Sequence, residues 1–155
     1  MPRRKIVLTS GAFDLLHPGH LKMLEEAKRR GGPGARLIVV LARDETVRRN
    51  KGREPIFNEK LRKYMVSMLK PVDEVILGSK PFSFEKIIRK VKPDIVIFGY
   101  DQVELMERFK KFCKEKNVHV KVVKARRYRV KELDSSSNVI KRVLEVARCG
   151  ERGHA

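Results

Sequence analysis

The sequence predicts an α/β fold in a single domain: a Rossmann-like, doubly wound parallel sheet of about five strands with helices on both faces. Two observations predict it. Short apolar runs typical of strands alternate with amphipathic runs typical of helices from one end of the chain to the other. The strand-like runs are apolar at consecutive positions, which indicates burial on both faces of a sheet. Right-handed crossovers then distribute the helices over the two faces.

The first two strands and the helix between them are predicted within residues 5–42. Residues 5–10 (KIVLTS) form a buried strand, and the helix that follows ends at the glycine-rich residues 31–34. Residues 36–42 (RLIVVLA) form the second apolar strand. The inward face of the first helix is predicted to contain Leu21, Leu24 and Ala27.

The middle of the chain is predicted from weaker patterns. Residues 43–55 are polar and basic and predict a loop with at most a helical turn. A helix follows over residues 58–69, and residues 72–77 (VDEVIL) form the third strand. The inward face of that helix is predicted to contain Leu61, Met65 and either Met68 or Leu69.

The second half of the chain repeats the alternation. We predict a helix at 84–91, a strand at 94–98, a helix at 102–116, a strand at 118–123 and a last helix that begins between 135 and 138 and fades around Cys149. The domain is therefore expected to cover residues 1–149. Residues 150–155 are expected to be a frayed tail.

The charge of the chain favours polyanionic ligands. Lys and Arg number 37 against 19 Asp and Glu, which gives a formal net charge of +18. Such a surface favours nucleic acid, acidic membranes or phosphorylated small molecules. Gln102 is the only glutamine, and a chain rich in Lys, Arg and Glu but poor in amides is typical of hyperthermophiles, so we attribute part of the charge to stability. Single-strand nucleic-acid binding is not favoured, because aromatic residues make up 6% and Trp is absent.

The composition also indicates the compartment. No apolar run approaches the roughly 20 residues that cross a bilayer, so we expect no membrane partner. The N-terminus runs directly into the first strand rather than into a signal-peptide core. Two cysteines, Cys113 and Cys149, are too few and too distant for a disulfide framework or a zinc site. We expect a cytoplasmic protein.

The richest segment is residues 11–20 (GAFDLLHPGH), which lie directly after the first strand and open the first helix. His17 and His20 flank Pro18 and Gly19 at the helix start, where unpaired backbone N–H groups and the helix dipole favour an anion. Imidazole and backbone donors then converge on a volume suited to a phosphate. No third metal ligand is evident beside the pair except Asp14, so a phosphate site is favoured over a metal site.

These residues resemble the G-T-F-D-x-x-H-x-G-H segment of the HxGH nucleotidyltransferases, the cytidylyltransferase-like superfamily. Further motifs of that superfamily follow in order over residues 5–146. They are KGREPI at 51–56, VDEV at 72–75, GYDQ at 99–102 and the serines at 135–137. Within the superfamily, KPDIVIFGYDQ, ARDETV and the triple serine most resemble the archaeal FAD synthases, which are FMN adenylyltransferases.

The resemblance implies transfer of AMP from ATP to FMN, giving FAD and pyrophosphate by in-line attack at the α-phosphorus. It implies that His17, His20 and Lys51 are catalytic. The implied nucleotide-binding residues are Ala12, Phe13, His17, Pro18, Gly19, His20, Asp101, Tyr128, Arg129, Ser135 and Ser136. Mg²⁺ is expected to accompany ATP with one or two protein carboxylates at most. Related enzymes are commonly dimers, which favours a homodimer.

Several alternatives stay open at this stage. The residues do not separate ATP from CTP, so a cytidylyltransferase acting on a polyol phosphate such as glycerol 3-phosphate is the first rival. A basic nucleic-acid-binding domain is the remote one. The sequence also leaves open which arginine at 126–129 faces the nucleotide. The other candidates fit structural roles too: Asp101 or Ser135 as helix caps, Lys51 as a solvated charge and Tyr128 in packing.

Overall fold

The computed structural model of the chain describes residues 3–128 and 133–152. Strands and helices alternate over these residues. The strands are β1 (Ile6–Gly11), β2 (Arg36–Leu41), β3 (Glu74–Leu77), β4 (Ile95–Phe98) and β5 (Lys121–Lys124). The helices are α1 (Pro18–Arg30), α2 (Asp44–Lys51), α3 (Glu59–Ser67), α4 (Phe84–Val91), α5 (Val103–Glu115) and α6 (Ser136–Arg152).

The five strands form one parallel sheet in the order β3-β2-β1-β4-β5. In the register of the central strand, Val7 pairs with Leu37 of β2 on one side and with Ile95 of β4 on the other. This arrangement confirms the predicted Rossmann-like fold. The strand order reverses direction at β1, and in such sheets ligands bind outside the carboxyl ends of the strands at that reversal. The crevice is therefore expected above β1 and β4.

Two apolar clusters cover the two faces of the sheet, because successive strand residues point to opposite sides. One cluster packs β-strand residues such as Val39 and Ile97 against α1 and α3. The other packs residues such as Val40 and Phe98 against α4 and α5. Strands that are buried on both faces explain the uninterrupted apolar runs in the sequence.

The inward faces of α1 and α3 differ from the prediction. In α1, Leu24 and Ala27 are buried as predicted, but Leu21 is exposed. In α3, the prediction that Leu61 faces inward is wrong, because Leu61 is exposed and the buried positions are occupied by Arg62 and Val66. Of the two alternatives just after the helix, Met68 is exposed and Leu69 packs against the core. The apolar periodicity mispredicts the inward face of α3 because an inward position next to the site is occupied by the guanidinium of Arg62.

Arg62 is fully buried yet hydrogen-bonded on every side. Its Nε donates to the Phe57 carbonyl at 2.8 Å, and Nη1 donates to the carbonyls of Ala12 (2.7 Å) and Ala42 (2.9 Å). Its Nη2 donates to the Asp44 carboxylate at 2.6 Å. One side chain therefore joins the ends of β1 and β2 to the start of α2 and to the loop before α3.

Residues 43–55, predicted as a loop, contain the two-turn helix α2. Only Val47 of this helix is buried, so no apolar stripe reveals it in the sequence. Its charges fit the helix dipole, with acidic residues in the first turn and basic residues in the last. Gly52 ends it in the left-handed conformation with φ of 65°. Lys51 thereby stands at the end of a helix rather than within a loop.

The last helix extends beyond its predicted end. It continues to Arg152, past Cys149, so residues 150–152 are helical and residues 153–155 lie outside the described part. Residues 141–150 are all exposed, including the apolar Val143 (59%) and Leu144 (52%). None of the helices in the described ranges is long and apolar enough to cross a bilayer.

Candidate active site

A cleft of ≈ 480 Å³ opens at the carboxyl ends of β1 and β4, a size typical of small-molecule sites. It brings together most of the residues predicted from the sequence: His17, Gly19, His20, Lys51, Asp101, Tyr128, Ser135 and Ser136. The other lining residues are Met23, Arg53, Gly99, Tyr100, Arg126, Asp134 and Ser137. Arg129, also predicted to bind the nucleotide, lies outside the described residues.

The two histidines at the start of α1 form a stacked pair. Their ring centroids are 3.7 Å apart with an interplanar angle of 26°. In the described part of the chain, the buried Nδ1 atom of each ring has no hydrogen-bond partner. Such atoms are normally satisfied, so each lacks a hydrogen-bond partner that a ligand in contact with the rings would supply.

Burial keeps both imidazoles neutral. Desolvation lowers the pKa of His20 to about 3, with repulsion from His17 and Lys51 acting in the same direction. Desolvation also lowers the pKa of His17, against the opposing attraction of Asp134. A neutral imidazole has one N–H donor and one acceptor nitrogen. The pair can thus donate hydrogen bonds to phosphate oxygens without first gaining a proton.

Two glycines make room for the rings of this loop. A Cβ on Gly19 would lie 2.9 Å from the imidazole of His17, and a Cβ on Gly11 would lie 2.7 Å from the ring of Phe13. Phe13 is buried, and its ring centroid lies 5.1 Å from that of His20, so it supports His20. Phe13 and Leu15 both have positive φ (50° and 57°), a strained conformation for such residues.

Three predicted nucleotide contacts lie in this loop but do not line the cleft. Phe13 is buried beneath His20, the Ala12 carbonyl accepts from Arg62, and Pro18 is the exposed first residue of α1. No side chain caps the α1 N-terminus within the described structure. Contact of Ala12, Phe13 and Pro18 with a nucleotide therefore stays a prediction.

Asp14 differs from its predicted role as a candidate metal ligand. Its carboxylate is fully buried and accepts from Arg53 Nη1 (3.0 Å), Ile56 N–H (2.9 Å) and Phe57 N–H (3.0 Å). Burial disfavours its charge, but these hydrogen bonds outweigh burial and lower the pKa of Asp14. Its oxygens are occupied by protein donors, so Asp14 does not supply a metal site. No cluster of three or more His, Cys, Asp or Glu suited to a metal occurs among the described residues.

Two cations reach the cleft from the end of α2. Lys51 is exposed, and its pKa is lowered by partial desolvation and by repulsion from Arg53. Arg53 Nη1 donates to Asp14 and to the Glu54 carbonyl, while its buried Nη2 has no partner in the described structure. Arg53 was not predicted as a site residue, although it stands within the KGREPI motif.

The segment after β5 supplies a third cation to the cleft. Arg126 lines the cleft, and its backbone N–H donates to the buried Glu26 carboxylate at 3.2 Å. Arg127 instead pairs with Asp134 at 3.2 Å, and its guanidinium lies 5.1 Å from the centre of the Tyr100 ring. Among the described arginines of this segment, Arg126 is thus the one in the cleft. The sequence left the choice among these arginines open because a run of basic residues gives no indication of side-chain orientation.

Ser135 and Ser136 line the cleft at the start of α6, and both also make hydrogen bonds within the protein. Ser135 Oγ accepts from the Asn138 N–H at 3.2 Å, as an N-cap does. Ser136 is buried, and its hydroxyl donates to the Asp14 carbonyl at 2.5 Å. At the other edge of the cleft, Asp101 is exposed and the cap position of α5 is occupied by Gln102. The alternative that Asp101 only caps that helix is therefore wrong.

Comparisons with known proteins agree with this fold and site. A family model described as cytidylyltransferase-like matches residues 8–142. A protein of Methanothermobacter marburgensis named FAD synthase is 47% identical over 142 residues, which cover 92% of this chain and 87% of the relative. A second FAD synthase, from Methanopyrus kandleri, is 45% identical over 147 residues, and the match covers 97% of that relative.

Solved structures extend the likeness to the fold. A lipopolysaccharide core biosynthesis protein from Thermoplasma volcanium superposes with a TM-score of 0.69 at 40% identity, covering 82% of this chain and 100% of that one. A protein of unknown function from Archaeoglobus fulgidus shares the fold at 20% identity, with a TM-score of 0.62 over 82% of this chain and 96% of that one.

Proposed function

Because the chain belongs to the cytidylyltransferase-like family, we propose that it transfers a nucleotidyl group, specifically AMP from ATP to FMN, giving FAD and pyrophosphate. The relatives named FAD synthase, at up to 47% identity over about nine tenths of the chain, support ATP and FMN as the substrates. The observation that carries the proposal is the stacked pair of neutral imidazoles with open nitrogen atoms, at the uncapped start of α1.

The proposed chemistry is a single in-line displacement. An oxygen of the FMN phosphate forms a bond to the α-phosphorus of ATP, and the bond from that phosphorus to the bridging oxygen of the β-phosphate breaks. The attacking phosphate is already an anion, so the step needs no general base. The protein has to position the two phosphates and stabilise the charge that develops. His17 and His20 would donate to the non-bridging oxygens of the α-phosphate.

The remaining cleft residues fit the other parts of the substrates. Lys51, Arg53 and Arg126 offer cations for the departing pyrophosphate and the acceptor phosphate. Mg²⁺ would enter with ATP and neutralise its phosphates, retaining several waters as this ion usually does. Asp101 and Asp134 are the carboxylates that line the cleft and could contact its hydration shell.

A cytidylyltransferase acting on a polyol phosphate is the alternative with less support. The described cleft residues do not discriminate adenine from cytosine, so this alternative follows from the family alone. The test is a matrix of reactions in which ATP or CTP is combined with FMN or glycerol 3-phosphate and Mg²⁺. We expect pyrophosphate and FAD with ATP plus FMN only. Pyrophosphate from CTP with glycerol 3-phosphate would favour the alternative, and salt-sensitive nucleic-acid binding without turnover would favour the remote one.

We also propose that the chain acts as a cytoplasmic homodimer, with α6 as the contact. Residues 141–150 of this helix have no cover, and an isolated helix of this length is marginal in water. Its apolar stripe is Ile140, Val143, Leu144 and Ala147. In an antiparallel pair centred between Val143 and Leu144, this stripe meets itself. This self-complementarity fits a two-fold interface. The support for a cytoplasmic location is the cysteine usage of the sequence, two residues far apart, which fits a reducing compartment.

A further inference from the structure

The two Nη atoms of Arg53 differ: Nη1 is held by the protein, whereas Nη2 has no partner in the described structure. Its Nη1 is fixed by the carboxylate of Asp14 at 3.0 Å and by the Glu54 carbonyl at 3.0 Å. Its Nη2 is buried and has no acceptor among the described residues, and the side chain lines the cleft. A buried donor without an acceptor is unfavourable, and a ligand oxygen would remove that cost.

The anchor of Arg53 is rigid. Asp14 is fully buried and also accepts from the backbone N–H groups of Ile56 and Phe57, and its carbonyl accepts from Ser136. The carboxylate therefore cannot rotate towards the cleft without breaking three hydrogen bonds. The guanidinium is planar, so fixing Nη1 also fixes the direction in which Nη2 donates.

We infer that Arg53 is a fixed clamp for the β- and γ-phosphate oxygens of the bound nucleoside triphosphate, and that Asp14 is the positioning residue that aims it. This inference rests on the proposed function and adds a substrate contact and a positioning role to it. Arg53 and Lys51 then play different parts: Lys51 is an exposed ammonium at the end of α2, whereas the direction of the Arg53 donor is set before the substrate arrives.

A clamp of this kind binds phosphate oxygens and does not distinguish one nucleobase from another. Removing it should weaken binding of triphosphates and of pyrophosphate while sparing AMP. The test measures the dissociation constants of α,β-methylene-ATP, α,β-methylene-CTP, pyrophosphate and AMP by calorimetry with Mg²⁺ and without acceptor. For Arg53→Gln we expect a loss of about 10- to 100-fold for the triphosphate analogues that bind and for pyrophosphate. AMP should change less than about threefold.

Arg49→Gln is the matched control, because it removes the same charge from an exposed side chain of α2 whose ion pair in the described structure is with Glu45. It should leave all four constants near wild type. Arg53→Lys should recover only part of the affinity, since an ammonium cannot bind Asp14 and a phosphate in the same fork.

Asp14→Asn tests the positioning role. It should reduce the preference for triphosphate over AMP as Arg53→Gln does, and the double variant should lose no more than either single variant. If Asp14→Asn does not fold, Arg53→Gln and Arg53→Lys decide alone. Unchanged triphosphate binding in Arg53→Gln, or an equal loss for AMP, would overturn the clamp. A wild-type protein that binds no nucleotide would instead remove the proposed function.

Discussion

His17 and His20 lie face to face at 3.7 Å, with one ring supported from below by Phe13 and the other constrained by Gly19. The stacking places both rings at one helix start, and under the proposed function they contact one ligand rather than two. Because repulsion from His17 also lowers the pKa of His20, a proton on one ring disfavours a proton on the other.

Replacing either histidine should abolish most of the activity. His17→Ala and His20→Ala remove donors aimed at the reacting phosphate, and we expect turnover to fall by about 10²–10³-fold. The melting temperature should stay close to wild type. The measurement is pyrophosphate release at saturating ATP and FMN, with exposed His119→Ala as the control. Near-normal turnover in both variants would contradict the assignment.

The histidines also predict a pH dependence of stability. Burial lowers the pKa of His20 in the folded chain from its ordinary 6.5 to about 3. Between these values the unfolded chain binds more protons than the folded chain, so the free energy of unfolding falls as the pH is lowered. In urea titrations from pH 6.5 to 4.5, His20→Asn should flatten this slope by up to about 1.4 kcal/mol per pH unit. An identical slope in wild type and variant would refute the neutral buried ring.

Gly19→Ala should impair activity through His17. The new Cβ would lie 2.9 Å from the imidazole and 3.3 Å from the Asp134 carbonyl, so the ring must move. We expect turnover to fall at least tenfold, because misplacement of a catalytic group by about 1 Å costs up to 10²-fold. Gly150→Ala, at an open position on α6, is the control that should retain activity. Full activity of Gly19→Ala would show that the ring position is not critical.

Arg62→Met should destabilise the protein more than a surface change does. It leaves three buried carbonyls and the Asp44 carboxylate without their donor, a loss of about 3–5 kcal/mol for a broken buried ionic network. Lys63→Met, the exposed neighbour, should change the free energy of unfolding by less than about 0.5 kcal/mol. Both values come from urea denaturation. Equal stability of the two variants would remove the structural role of Arg62.

Leu144→Lys should convert the proposed homodimer to a monomer. The substitution places two new cations at the centre of the antiparallel α6 pair, where like charges repel. Analytical ultracentrifugation at several concentrations measures the result. Val103→Lys is the control, because Val103 is an exposed apolar residue on α5. A wild-type protein that is monomeric at all concentrations would exclude the interface.

The sequence predicted those parts of the fold that depend on apolar burial. All five strands and the helices α1, α4 and α5 were found close to their predicted bounds, since each contributes to one of the two clusters beside the sheet. Helix α2 was missed because Val47 is its one buried residue. The inward face of α3 was wrong because Arg62 is stabilised there by carbonyl groups from distant segments, which no local pattern records.

The site residues also fall into two groups: those that a local motif predicts and those whose partners are distant in the chain. His17 and His20 are three residues apart in the sequence, so their motif predicts that they meet at one helix start. Asp14 was kept as a possible metal ligand because its partners at residues 53–57 become neighbours only in three dimensions. The choice among the arginines at 126–129 stayed open for a similar reason: the backbone of Arg126 is held by Glu26, which is 100 residues away in the chain.

The bond from Ser136 to the Asp14 carbonyl spans 122 residues. The five strands of the described structure end by Lys124, so they are synthesised before the cleft residues at 134–137. During synthesis on the ribosome, the sheet and both histidines can therefore fold before the cleft is complete. The cleft is completed only when the last twenty or so residues emerge.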